Sequence, residues 1–163
     1  MRNTYNRLKS FGIGFVLAAF VAAAGNVKAQ DIKAPTGKIY DHGVSWEKEF
    51  SVTQAYSING TIYIAGQFSH NMKGEFVGEG DIKAQARQTF ENLDRVLAGY
   101  GITKSNIAEL EIYLMDTTHN FEPFVEVYKG YVGTHRPAVT LIGVSGLAFP
   151  QQLVEIRAVA HSN

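Results

Sequence analysis

The sequence has no cysteine, four prolines and a single tryptophan among its 163 residues. Without cysteine the chain cannot form disulfides, offer thiolate ligands to a metal or carry a lipid on a cysteine. Basic and acidic residues are equal in number, 15 of each, so the composition lacks the positive excess typical of nucleic-acid-binding domains. With 45% hydrophobic and 18% charged residues, it is typical of one globular domain with its own core.

The N-terminal segment differs from the rest of the chain. A basic start is followed by 14 almost uniformly apolar residues, 11–24, and then by small residues on either side of Lys28. This order predicts a cleavable signal peptide over residues 1–29. A cut after Ala24 also fits the pattern, and a retained membrane anchor is disfavoured because a bilayer span needs about 20 apolar residues.

Removal of residues 1–29 leaves 134 residues with 11 basic and 15 acidic side chains, because four basic residues are lost: Arg2, Arg7, Lys9 and Lys28. A mildly acidic protein does not attract nucleic acid through its phosphates. We therefore expect a periplasmic or secreted protein with no nucleic-acid partner and no membrane contact after cleavage.

A β-hairpin is predicted early in the folded domain. Residues 30–43 contain Pro35 and Gly37 without sustained periodicity, which predicts a flexible lead-in to a domain at residues 44–163. Asn59-Gly60 then separates two β-rich segments, residues 52–58 and 61–67. Both turn residues tolerate the positive φ of a type I′ turn, which is why this pair favours a hairpin.

Two helices are predicted from apolar stripes. Asp81 can cap the first helix, which is expected to end at Gly101. The second is expected to begin near Asn120, with Pro123 tolerated because it falls in the first turn. The stripe residues are Ala86, Phe90, Leu93, Leu97 and Tyr100 in the first helix, and Phe121, Phe124, Val125, Tyr128 and Val132 in the second.

Further strands complete an α+β pattern. Leu110, Ile112 and Leu114 alternate with more polar residues, as expected of a strand with one buried face. Residues 138–144 and 153–160 predict two more strands. The resulting order of strand, strand, helix, strand, helix, strand, strand predicts an α+β fold with two helices on one face of a mixed sheet.

Several short motifs follow one another along this domain. They are a Gly66-Gln67 strand end, a Gly-Asp step before a helix that carries Gln85 and Asn92, an Arg-Pro-Ala segment at Arg136 and a closing Leu-Val-Glu-Ile. In this order, over roughly residues 46–160, the chain resembles the RidA/YjgF family of imine and enamine deaminases. The resemblance implies a chorismate-mutase-like (YjgF-like) fold and a homotrimer with a central barrel and active sites in the clefts between subunits.

Arg136 and Glu155 are the candidate catalytic residues. An arginine can hold a carboxylate through two parallel hydrogen bonds, and a glutamate can orient a water molecule. The resemblance implies that Arg136 anchors the carboxylate of a 2-imino acid, or of its 2-oxo product, and that Glu155 orients the water that hydrolyses the imine. From the residues alone, Arg136 also fits a surface ion pair, and Glu155 an exposed pair with Arg157 worth less than about 1 kcal/mol.

The remaining positions of the implied substrate pocket depart from the family pattern. Backbone groups at Gly66 and Ala138 are expected to face the imine nitrogen. Tyrosine, serine, asparagine and cysteine of the family archetype are replaced by Val52, Ala65, Val125 and Ala138, respectively. These changes make the cleft more apolar and favour an alternative, a non-catalytic periplasmic trimer that binds a small carboxylate or a protein partner.

No cofactor or metal is expected. The five histidines lack His-x-x-x-His spacing, and the chain has no phosphate loop or dinucleotide fingerprint. Ribonuclease action, which is reported for some relatives of the family, fits poorly with an acidic chain that has no basic stripe interleaved with aromatics.

Overall fold

The computed structural model describes residues 36–162. Six strands and three helices are found there, and they confirm the predicted α+β class. The strands are β1 (Lys38–Tyr40), β2 (Ala55–Ile58), β3 (Thr61–Gln67), β4 (Ile107–Met115), β5 (Ala138–Val144) and β6 (Val154–His161). The helices are α1 (Ser45–Glu49), α2 (Ile82–Gly99) and α3 (Thr117–Val132). The strands form one mixed sheet in the order β1-β2-β3-β6-β4-β5, in which β5 runs parallel to β4 and all other neighbours are antiparallel.

The predicted hairpin is confirmed. β2 and β3 pair in register from Ile58 opposite Thr61. The two turn residues, Asn59 and Gly60, have φ values of 52° and 78°. Positive φ at both central positions is the requirement of the tight turn that Asn-Gly predicts.

Helix α2 packs its apolar stripe against the sheet. Its N-terminus is capped as predicted, because Asp81 Oδ1 accepts a hydrogen bond of 3.0 Å from the backbone N–H of Ala84. Phe90, Leu93 and Leu97 of this helix are at most 3% exposed. They meet fully buried strand residues from the sheet centre, Ile62, Ile64, Leu110, Ile112, Val154 and Ile156, so the core lies between the sheet and its helices.

The opposite face of the sheet is not covered by the described residues. Tyr56, Tyr63 and Ile142 are 40%, 48% and 42% exposed there, although each is large and apolar. Exposed patches of this kind on a small domain mark interaction surfaces.

Helix α3 begins earlier than the apolar stripe predicts. It starts at Thr117, after Asp116 adopts a left-handed φ of 42°, so Pro123 lies inside the helix rather than in its first turn. The prediction placed the start at Asn120 because the first residues, Thr-Thr-His-Asn, carry no apolar signal. Asn120 instead fixes the turn by donating a 2.8 Å hydrogen bond from Nδ2 to the carbonyl of Met115.

Part of the predicted lead-in belongs to the sheet. Lys38–Tyr40 form β1 and pair with β2, and the short helix α1 follows. A three-residue strand is too short to show a period of two, which is why the sequence pattern gave no sign of it. Among the described residues, no helix is both long and apolar enough to cross a membrane.

Candidate functional site

Glu155 lies near the start of β6, on the face of the sheet that the helices leave open. Its neighbours Val154 and Ile156 are fully buried on the opposite face, as the alternation of a strand requires. Through the antiparallel register Glu155 stands opposite Tyr113 of β4. The strand pattern therefore places this carboxylate on the open face, where it can meet a ligand.

Gly66 of β3 lies directly against this carboxylate. A Cβ added to Gly66 would overlap Glu155 Oε1 and would lie 2.7 Å from Glu155 Cδ. The pairing of β3 with β6 shifts register between Ile64 and Gln67, which brings the strand end to this position. Only a residue without a side chain allows so close an approach. The structure thus brings together two of the predicted site residues, Gly66 and Glu155.

Gln152 fixes the orientation of the Glu155 side chain. Its Nε2 donates a hydrogen bond of 2.9 Å to Glu155 Oε2, and the residue is 1% exposed. One carboxylate oxygen is therefore held by an amide while the other lies over Gly66. The sequence pattern gives no sign of Gln152, because the contact depends on a turn in which the Gln152 N–H donates to the carbonyl of Phe149 at 3.0 Å.

Arg157 does not pair with Glu155, contrary to the simplest surface reading of the sequence. Its guanidinium Nη1 instead donates to Glu111 Oε2 at 2.7 Å across the strand pair. The same oxygen accepts a 3.1 Å hydrogen bond from Tyr113 Oη. These hydrogen bonds, that from Arg157 first, lower the pKa of Glu111 below its ordinary value. Arg157 therefore forms its ion pair with Glu111, and the Glu155 carboxylate on the same face remains available to a ligand.

Arg136 lies far from Glu155 within one protomer. It is exposed in the loop before β5. Glu155 is level with Ile142 of β5, because both stand opposite Tyr113 of β4. Arg136 precedes Ile142 by six residues, which corresponds to about 20 Å of extended chain. A single protomer therefore does not bring Arg136 and Glu155 into one site.

The loop that carries Arg136 is attached to the sheet by its neighbour. His135 Nε2 hydrogen bonds to the carbonyl of Ile107 at 2.7 Å, and Ala138 pairs with Glu109 where β5 begins. Ala138 thus belongs to the Arg136 end of the sheet.

The other predicted pocket residues are dispersed. Ala65 is exposed beside Gly66, and its N–H donates to the carbonyl of Gln54 at 2.8 Å. Val52 is 47% exposed in the segment before β2. Val125 packs on the core from α3. Of the predicted substrate-binding residues, Gly66 and Ala65 lie at the Glu155 end.

Gln85 and Asn92, the two polar residues of the helical motif, hold the loops around Glu155. Gln85 Nε2 donates to the carbonyl of Gln151 at 3.0 Å, and its Oε1 accepts from the N–H of Leu153 at 2.8 Å. Asn92 Nδ2 donates to the carbonyls of Phe68 and His70 at 3.0 and 2.9 Å. Both side chains are fully buried. Their role in the structure is to fix the segments on either side of Gly66 and Glu155.

A buried polar cluster attaches the N-terminal segment to the end of β3. Glu47, 3% exposed, accepts 2.8 Å hydrogen bonds from the His42 N–H and from Gln54 Nε2. Gln67 Nε2 donates to Gln54 Oε1, also at 2.8 Å. The cluster therefore links α1 to the residue that follows Gly66.

Two histidines lie in contact beside this cluster. The rings of His42 and His70 are 5.4 Å apart. Burial, together with the neighbouring His70 imidazole, lowers the pKa of His42 to about 4. Burial also lowers the pKa of His70. Both imidazoles are therefore neutral at pH 7. Within residues 36–162, no group of three or more His, Cys, Asp and Glu side chains is arranged to hold a metal ion.

Comparison with known proteins identifies the family. The family model Ribonuc_L-PSP, described as Endoribonuclease L-PSP, matches residues 46–162. The chain belongs to this family, which is also the YjgF/RidA family. It is 34% identical to a RutC family protein of Pyrococcus horikoshii over 109 residues, which cover 67% of this chain and 85% of the relative.

Two further relatives bear on function and location. The human protein named 2-iminobutanoate/2-iminopropanoate deaminase is 29% identical over 108 residues, which cover 66% of this chain and 77% of the relative. Protein MMF1, mitochondrial, of Saccharomyces cerevisiae is 33% identical over 110 residues, which cover 67% of this chain and 74% of the relative. The crystal structure of yeast Mmf1 superimposes with a TM-score of 0.67 at 27% identity, over 79% of this chain and 97% of that one. The fold and the family predicted from the sequence motifs are confirmed.

The predicted periplasmic or secreted location is wrong by this comparison. The yeast relative is named as a mitochondrial protein. A basic N-terminus without acidic residues occurs in mitochondrial transit peptides as well as in export signals, so the pattern that suggested export does not specify a compartment. The predicted signal peptide, residues 1–29, lies outside the described residues.

Proposed function

We propose that this protein hydrolyses reactive 2-imino acids and their enamine tautomers to 2-oxo acids and ammonia. The observation that carries the proposal is the Glu155 carboxylate, held by Gln152 on one oxygen and packed over Gly66 with the other. Membership of a family that includes a protein named as an imine deaminase supports the same reaction.

Glu155 acts on the water in this mechanism. A water molecule hydrogen-bonded to Glu155 adds its oxygen to the imine carbon, and the carboxylate accepts the proton that the water gives up. The carboxylate returns that proton to the nitrogen, which gives a tetrahedral adduct with one hydroxyl and one amino group. It then moves the hydroxyl proton to the same nitrogen, the C–N bond breaks as the C=O bond forms, and ammonia leaves a 2-oxo acid. General-base assistance of this kind contributes about 10² to 10⁴-fold, which suffices for an imine that already hydrolyses in water.

Arg136 anchors the substrate carboxylate from a second copy of the chain. Its guanidinium is exposed and offers the two parallel donors that a carboxylate accepts. Because it lies about 20 Å along the sheet from the Glu155 of its own protomer, the two can act together only across an interface. A homotrimer that places the start of β5 of one copy over the open sheet face near Glu155 of the next meets this requirement, and this partly apolar face suits the interior of such an assembly.

A coupled assay tests the function. An amino-acid oxidase generates 2-iminopropanoate or 2-iminobutanoate, semicarbazide competes for the imine, and the protein should accelerate imine loss. Arg136→Ala and Glu155→Ala should each reduce the acceleration at least about a hundredfold, because each removes one half of the proposed site. Arg87→Ala, which removes an arginine from α2 instead, is the matched control and should behave as wild type.

Two results would change the assignment. If wild type accelerates no imine yet binds 2-oxo acids through Arg136, the protein is a binding module rather than a hydrolase. The exposed apolar side chain of Val52, where the archetype has tyrosine, is the observation that favours this second candidate. If wild type and both variants are equally active, neither Arg136 nor Glu155 has the proposed role.

A further inference from the structure

Five aromatic side chains surround a pocket of about 250 Å³ beyond the end of β3. They are Trp46, Phe50, Phe68, Phe76 and Phe149, and we call this space the aromatic pocket. Phe68 is central, with ring centroids 5.6 Å from Trp46 and 5.1 Å from Phe149. Phe50, which belongs to the lining, is 59% exposed. Because its lining consists largely of partly exposed aromatic rings, the aromatic pocket favours an apolar occupant.

The aromatic pocket adjoins Glu155 along two separate segments. On β3, Gly66 touches the Glu155 carboxylate and precedes Phe68 by two residues, about 7 Å of extended chain. On the β5–β6 connection, Gln151 lines the pocket, and the next residue, Gln152, hydrogen bonds to Glu155 at 2.9 Å. A small molecule that reacts at Glu155 therefore has the pocket within reach of one of its substituents.

The size of the pocket indicates what part of a molecule it holds. Pockets that enclose a whole drug-sized ligand measure about 300 to 1,000 Å³. At about 250 Å³, the aromatic pocket falls below that range and suits one branched or aromatic side chain.

The charge of the lining decides which end of the substrate enters. Among the described residues, the lining includes the carboxylate of Glu49 and neither lysine nor arginine. A substrate carboxylate would be repelled by Glu49 and would lose hydration against the rings. The carboxylate is therefore directed away from the aromatic pocket, which leaves the side chain to fill it.

We propose that the aromatic pocket receives the side chain of the 2-imino acid, so that imines with large apolar side chains, such as those derived from leucine or phenylalanine, are preferred over the alanine-derived imine. The inference rests on the proposed deaminase function and adds the substrate class. A pocket built for a large apolar group discriminates by about 10-fold or more against a substrate that leaves it empty.

The activity test compares two imines in the same coupled assay. Phe149→Ala should lower the acceleration of the leucine-derived imine about tenfold and that of the alanine-derived imine less than twofold. Phe149→Leu, which keeps an apolar side chain, should restore most of the preference. Phe121→Ala, an exposed phenylalanine of α3 outside the pocket, is the matched control. A Phe149→Ala variant that leaves the ratio of the two rates unchanged would overturn the inference while leaving the deaminase function in place.

A binding test reads the pocket without turnover. The single tryptophan of the chain, Trp46, forms one wall, so its fluorescence reports occupancy. We expect 4-methyl-2-oxopentanoate, the 2-oxo product from leucine, to change this fluorescence at a concentration at least tenfold lower than the concentration of pyruvate that is needed for the same change. If no imine is hydrolysed but this preference holds, the deaminase function fails and side-chain recognition stands. Equal responses to both acids would overturn the inference.

Discussion

At the scale of single residues, Gly66 has no side chain because the Glu155 carboxylate occupies the space where one would lie. The Gly-Gln motif predicted the importance of Gly66, and the alternation of β6 explains the face on which Glu155 lies. Neither predicted Gln152, because a hydrogen bond from a turn residue to the strand depends on tertiary geometry rather than on period. For the same reason, residue spacing alone does not predict that the side chains of Gln85 and Asn92 hold loops.

We expect Gly66→Ala to reduce imine hydrolysis about a hundredfold, because the added methyl group must displace the Glu155 carboxylate and a shift of about 1 Å is enough for such a loss. Overpacking should also lower the free energy of unfolding by about 1 to 3 kcal/mol. Steady-state rates and urea unfolding measure the two effects.

The control for this variant is Gly146→Ala, since a Cβ at Gly146 meets nothing within 4 Å. It should leave both the rate and the stability near those of wild type. A Gly66→Ala variant with full activity would mean that the carboxylate position over Gly66 is not the reactive one.

At the scale of elements, the sequence predicted those whose signal is local. Asn59-Gly60 specified the hairpin and Asp81 capped α2, because each acts through its own backbone geometry. β1 and α1 were missed because they are too short to show periodicity and depend on partners elsewhere. The cluster of Glu47, Gln54 and Gln67 holds this N-terminal segment. Its members are separated in the sequence, so no local pattern predicts that they meet.

The same segment should make stability depend on pH. The pKa of His42 is lowered from 6.5 to about 4 in the folded protein by burial and by His70. Below pH 6.5 the unfolded chain therefore binds a proton that the folded chain excludes. The contribution of neutral His42 to the free energy of unfolding is complete above pH 6.5 and is lost as the pH falls toward 4. The loss is on the order of 2 kcal/mol after allowance for partial exposure.

Urea midpoints measured between pH 7 and pH 4.5 check this expectation. His42→Leu, which cannot bind the proton, should show a smaller decrease over that range, whereas His161→Leu, which replaces an exposed histidine at the end of β6, should keep the wild-type decrease. An identical pH dependence in wild type and His42→Leu would contradict the assignment.

At the scale of the whole molecule, the proposed site is divided between two ends of one sheet. The sequence placed Arg136 and Glu155 each near the start of a strand, but the register that separates them by six strand positions depends on how β4, β5 and β6 pair. Sequence pattern predicts strands more readily than it predicts their order, so this separation was visible only in the structure. The exposed side chains of Tyr56, Tyr63 and Ile142 lie on the face that an assembly would cover.

Complementation tests the divided site. Arg136→Ala and Glu155→Ala should each be inactive alone, yet a mixture unfolded and refolded together should recover activity. In a cyclic trimer with random mixing of equal amounts, about a quarter of the interfaces combine an intact Arg136 with an intact Glu155. Assay of the refolded mixture against each variant refolded alone gives the answer, and a mixture as inactive as its components would rule out a site shared between copies.

The distance between Arg136 and Glu155 also bears on dosage. A single protomer holds only one of the two proposed site residues at each site, so turnover requires association of the chains. The total rate of turnover therefore rises more steeply than in proportion to protein concentration until assembly is complete. Scarce protein would then be idle even when each chain is correctly folded. The level of expression would determine whether the protein is active, as well as its total rate of turnover.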